Sequence, residues 1–152
     1  MSRVEKPQVL LVDDNEATCT LVTALLQREF TVEIASDGTE ALERLKTKNY
    51  ASILLDLRMP GLDGYGVLEF LHATSPETLR RVLIVTASLT ERELERVRRF
   101  DVCGIVAKPF EVEMLLGAVR SCAGIDQKPI GRYFFSNGMI LLLAEVLRQR
   151  LG

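Results

Sequence analysis

The chain has 152 residues and a formal charge of −2, from 19 Lys and Arg against 21 Asp and Glu, which suits one compact domain with little left over. At 47% hydrophobic and 26% charged residues the composition is that of an ordinary globular protein, able to build a core without disulfide or metal staples. The near balance of charge excludes a general electrostatic drive toward nucleic acid.

Short runs rich in Val, Ile and Leu recur at residues 9–12, 32–35, 53–55, 82–85 and 105–107, and each reads as a buried strand. Helical spacing fills the intervals. Thr18, Leu21, Val22 and Leu25 follow the first strand, and Asp37 with Glu40 has the spacing of a capping box. Asp63-Gly64 opens a helix carrying Val67, Leu68 and Leu71, Thr90 and Glu93 form a second capping box, and Val112, Leu115, Leu116 and Val119 share a face after the last strand. The order is βα repeated five times, which predicts an α/β fold: a doubly wound, five-stranded parallel sheet with helices on both faces. The repeat gives residues 1–123 as one domain. Residues 124–152 read as a linker, with Gly124, Pro129 and Gly131, and then an extra, strongly apolar C-terminal helix.

In a parallel α/β sheet the site lies at the carboxyl ends of the strands. The first strand ends in Asp13-Asp14, the third in Asp56, the fourth in Thr86-Ala87 and the fifth in Lys108-Pro109-Phe110. Three converging carboxylates repel one another, raising at least one pKa, unless a cation joins them. Magnesium suits hard oxygen ligands and is usually held by one or two carboxylates plus phosphate oxygens. A carboxylate beside magnesium and Lys108 is poised to attack a phosphoryl group. Asp56, alone at its strand end, is the nucleophile candidate; Asp13 and Asp14 suit metal holding, Thr86 offers a hydroxyl, and Gly61 and Gly64 tighten the loop after Asp56. Each feature alone has a plainer reading as a helix cap, a backbone partner or a turn, but three strand ends carrying them on one edge favour a site.

These segments, residues 9–15, 55–64, 85–87 and 108–110, resemble the receiver domain of two-component response regulators, of the chemotaxis-type single-domain kind, and the likeness covers about residues 8–123. The resemblance implies a flavodoxin-like fold in which Asp56 accepts a phosphoryl group from a phosphohistidine on a sensor histidine kinase or histidine phosphotransfer protein. It also implies direct magnesium ligation by Asp14, Asp56 and the backbone carbonyl of Arg58, with Asp13 acting through water. Lys108 would pair with the phosphoryl group, Thr86 would swing toward it, and Lys108-Pro109 would be cis. The phosphorylated form would then present a changed surface to a downstream protein partner, making the chain a switch and not an enzyme.

Two positions bear on that expectation. Ile105 stands three residues before the lysine, where the family usually has Tyr or Phe, so a ring-based gate has no counterpart here. Arg58, two residues after the acceptor, is long enough to shield or touch a phosphoryl group. His72, the only histidine, reads as a solvent-facing side chain. Cys19, Cys103 and Cys122 are well separated with no Cys-x-x-Cys pair, which predicts inert thiols in a reducing, cytoplasmic setting. No signal peptide or membrane span is expected, the apolar run at residues 139–144 being too short. The apolar stripe within residues 134–150 would fold back on the domain or form a homodimer, and the tail is too short for a DNA-reading output domain. The competing readings are a magnesium-dependent hydrolase passing through an aspartyl phosphate, and a receiver fold kept only for binding or dimerisation.

Overall fold

The computed structural model describes residues 5–87 and 89–125. The apolar C-terminal stretch expected at residues 134–150, with its dimer or fold-back, lies outside the described residues. Five parallel strands form one sheet in the order β2-β1-β3-β4-β5: β1 (Gln8–Val12), β2 (Thr31–Ala35), β3 (Ser52–Leu55), β4 (Val82–Thr86) and β5 (Gly104–Ala107). Helices α1 (Glu16–Leu26), α2 (Gly38–Thr47), α3 (Gly64–Thr74), α4 (Glu91–Val97) and α5 (Val112–Cys122) alternate with them, and a 3-10 turn over Pro76–Arg81 leads into β4. The chain runs outward from β1 to β2 and then crosses back to β3, the central strand, so the crevice at the carboxyl ends of β1 and β3 is the topological switch point of a flavodoxin-like fold.

The period of two in each strand sorts side chains onto opposite faces. Leu10, Val12, Ile53, Leu55, Val82, Ile84 and Ile105 pack beneath α2, α3 and α4, whereas Val9, Leu11, Leu54, Leu83, Val85 and Val106 pack beneath α1 and α5. All these strand residues are nearly or fully buried, and truncating any such Leu to Ala costs about 2–5 kcal/mol. The expectation of five buried strands fails at β2, where Thr31 and Ile34 are exposed. That strand is an edge, paired only with β1, so one of its flanks has no neighbouring strand to cover it.

Local signals set most helix starts. Asn15, Asp37, Asp63 and Thr90 each accept a backbone N–H from the third residue on. At Thr90 the box is reciprocal, Glu93 returning to the Thr90 N–H at 3.3 Å. Glu40 instead binds the N–H and hydroxyl of Ser36, one residue short of the reciprocal partner expected. The last helix closes on Gly124, whose φ of 74° lies in the left-handed region; Gly124 N–H donates to Ser121 O and Ile125 N–H to Arg120 O, a Schellman ending.

Candidate functional site

The register of the sheet brings the site together. Val12 pairs with Leu55 across β1 and β3, and Thr86 with Ala107 across β4 and β5. The ladder then runs one rung past the strands: Asp13 N–H donates to Ala35 O at 3.1 Å, Asp56 N–H to Val12 O at 3.0 Å, and Lys108 N–H to Thr86 O at 2.8 Å. Each of these three candidate residues is therefore anchored by its backbone to the neighbouring strand at the carboxyl edge of the sheet. Asp13, Asp14 and Asp56 each offer a carboxylate oxygen, all within 4.8 Å of one another. Lys108 Nζ sits 2.7 Å from Asp13 Oδ2 and 3.8 Å from Asp56 Oδ2. The Lys108-Pro109 peptide is cis.

The carboxylates differ in setting. Asp13 is 2% exposed and accepts both Lys108 and the Asn15 N–H, the latter at 2.9 Å. Asp14 faces solvent, which leaves the cluster open on one side. Asp56 is buried, and burial pushes its carboxyl above the ordinary carboxylate value; Lys108 opposes that rise, Asp13 adds to it, and hydrogen bonds from the Arg58 N–H and the Thr86 side chain lower it. The repulsion expected among the carboxylates does raise this group, through Asp13, but burial is the larger cause. Three acids against one nearby lysine leave surplus negative charge among hard oxygen donors, a set that fits a divalent cation such as magnesium.

The loop after Asp56 is held close to that residue. Gly61 has φ 75°, and Gly64 N–H donates to Leu57 O at 3.1 Å. A Cβ on Gly64 would run into the Asp56 carbonyl oxygen and come within 2.7 Å of Leu57 Cα. Arg58 N–H points at Asp56 Oδ1 at 3.4 Å. Its guanidinium, however, extends to Glu93 on α4, with Nη2 2.8 Å from Oε1. Ile105 is fully buried in the core beneath α2, α3 and α4. His72 is exposed as expected and meets the Phe100 ring edge-on at 5.9 Å.

Sequence reasoning missed two relationships. Glu93 was legible only as a cap, because its partner Arg58 lies 35 positions away. The expectation of three thiols is also corrected: Cys103 and Cys122 are joined by a disulfide, their Cα atoms 5.8 Å apart. Packing of α5 on the sheet brings its last turn against the residue before β5, a proximity that spacing in the chain does not encode. Cys19 remains a free, buried thiol. Burial foremost, and then Asp13, pushes it up, so its thiolate is suppressed.

The response regulator receiver domain family matches residues 9–120 of the chain. The chain is 34% identical over 136 residues to YkoG, an uncharacterized transcriptional regulatory protein of Bacillus subtilis, covering 86% of this chain and 58% of YkoG. It is 30% identical over 127 residues to a probable chemotaxis protein CheY of Rhizobium etli, covering 82% of this chain and 98% of that protein. It therefore spans little more than half of the first relative and nearly all of the second. Among solved structures, the receiver domain of the Pseudomonas aeruginosa sensor histidine kinase PA1611, with magnesium coordinated in its active site cleft, aligns with a TM-score of 0.71 at 27% identity, covering 78% of this chain and 98% of that one. Among the described residues no helix is long and apolar enough to cross a membrane. Sheet order, strand-end acids and family match agree, and the chain belongs to the response regulator receiver domains of two-component signalling.

Proposed function

We propose that Asp56 is the phosphoacceptor of a magnesium-dependent switch, charged by a phosphohistidine on a sensor histidine kinase or histidine phosphotransfer protein in the cytoplasm. The observation that carries this reading is the meeting of Asp13, Asp14 and Asp56 oxygens within 4.8 Å, with Lys108 Nζ 3.8 Å from Asp56 Oδ2. Asp14, Asp56 and the Arg58 carbonyl would hold magnesium directly and Asp13 through water, and the ion would neutralise charge on the transferred phosphoryl oxygens.

An Asp56 carboxylate oxygen attacks phosphorus, the phosphorus–nitrogen bond of the donor breaks, and a proton goes to the departing imidazole. Burial of Asp56 favours the reaction, because a poorly solvated carboxylate loses little hydration on becoming an ester. Lys108 supplies a positive charge to the phosphoryl oxygens. Thr86, already bonded to the Asp56 carboxylate, is placed to donate to a phosphoryl oxygen. The added charge of about −2 then shifts the balance between two arrangements of the surface around α4, β5 and α5, which a protein partner reads. A hydrolase would need a second acid positioned to activate water, and no Asp-x-Asp nucleophile loop includes Asp56 in the sequence, so we read the chain as a switch in preference to a hydrolase.

Incubation with acetyl phosphate and magnesium, followed by intact-mass measurement, tests this. The expected result is a gain of one phosphoryl group, lost in Asp56→Asn and lost on chelation of magnesium. A gain that survives Asp56→Asn, or none in the wild type, overturns the assignment, and many equivalents of phosphate released would favour the hydrolase.

A further inference from the structure

Arg58 touches the acceptor and α4 at once. Its N–H points at Asp56 Oδ1 at 3.4 Å, and its guanidinium donates to Glu93 Oε1 at 2.8 Å. Glu93 lies in the first turn of α4 and is 6% exposed; its other oxygen closes the cap on the Thr90 N–H. One turn away, the Arg96 guanidinium stacks on the Tyr65 ring of α3 at 3.6 Å. Helix α4 has seven residues, too few to be stable without such ties.

We propose that Arg58 is the positioning residue that couples phosphorylation of Asp56 to α4, its guanidinium exchanging the Glu93 carboxylate for the oxygens of the phosphoryl group. The inference rests on the phosphoacceptor reading of Asp56. A phosphoryl group of charge about −2 outcompetes a single carboxylate, and the planar guanidinium suits its oxygens in bidentate fashion. The Arg58 side chain is 67% exposed, so the movement gives up little packing. Glu93, which is buried, then loses the ion pair that ties the first turn of α4 to the segment after Asp56. The first turn of α4 opens as a result. Tyr65 and Arg96 sit on the same seam between α3 and α4 and are free to restack as it shifts.

Beryllofluoride with magnesium serves as the phosphoryl mimic, and amide hydrogen exchange over residues 91–97 is the readout. Calorimetry on the wild type and Asp56→Asn first establishes binding at the acceptor. Binding in the wild type should speed α4 exchange on the order of tenfold, as a local opening does. In Arg58→Ala and Glu93→Gln, α4 should exchange fast already, the ligand adding less than about twofold. Glutamine still closes the capping box, so Glu93→Gln removes only the ion pair. Arg58→Lys should restore a ligand-dependent change, which loss of packing alone would not predict. An unaltered ligand response in Arg58→Ala, or bound beryllofluoride with no change in wild-type α4, overturns the coupling and leaves the acceptor assignment standing. No binding by the wild type overturns both.

Discussion

Lys108 Nζ lies 2.7 Å from Asp13 Oδ2 although 95 positions separate the two residues in the chain. The side chains are 17% and 2% exposed, so the pair is largely withdrawn from water. Lys108→Ala would leave the Asp13 carboxylate buried beside Asp56 with its cation gone, and the expected destabilisation is about 3–5 kcal/mol in the presence of a chelator. Urea denaturation measures it. A loss below about 1 kcal/mol would mean that the ammonium is screened like a surface charge.

Because burial raises Asp56, its ionisation opposes folding. The stability tied to this group is fully present below the ordinary aspartate value of 3.8 and is lost as pH rises through the elevated one. Asp56→Asn is therefore expected to be more stable than the wild type at neutral pH without divalent cation, by an amount on the order of 1 kcal/mol typical of single-site changes. The advantage should vanish at pH values where the wild-type carboxyl is protonated. Thermal melts of both proteins across pH in chelator decide it; an equal difference at every pH would remove ionisation as the cause.

The approach of Gly64 to the backbone at Asp56 makes a side chain there costly. Gly64→Ala must move the carbonyl of Asp56, a backbone atom with little freedom, at about 1–3 kcal/mol, and if Asp56 is the acceptor proposed above, phosphoryl uptake should slow because the carboxylate moves with it. Gly117 in α5 has nothing within 4 Å of an added Cβ, so Gly117→Ala is expected to stabilise by about 0.4–1 kcal/mol. Equal effects of the two substitutions in denaturation would show that the contact at Gly64 relaxes freely.

The Cys103–Cys122 disulfide closes a span of 19 residues. Thiol titration of the unfolded, unreduced protein should find only Cys19 reactive, and all three cysteines after reduction. Cys122→Ser is expected to lower stability by about 3 kcal/mol under oxidising conditions, with little further loss on adding reductant. Three reactive thiols in the unreduced protein would mean that the pair is reduced as isolated.

What the chain determined by itself is local. Apolar runs of strand length, the cap residues Asp37, Asp63 and Thr90, and the turns at Gly61 and Gly64 follow from short-range sterics and hydrogen bonding, and the βα alternation leaves only a handful of parallel architectures. The acids at strand ends followed from that, since a parallel sheet sends every carboxyl end to one edge. The pairing of charges was decided only by the tertiary structure. Arg58 reads as a residue leaning over the acceptor until α4 brings Glu93 within 2.8 Å, and Cys103 and Cys122 read as separate thiols until α5 packs on the sheet. Periodicity records which face a side chain takes, whereas the partner it meets depends on how distant elements are packed, and no residue spacing carries that distance.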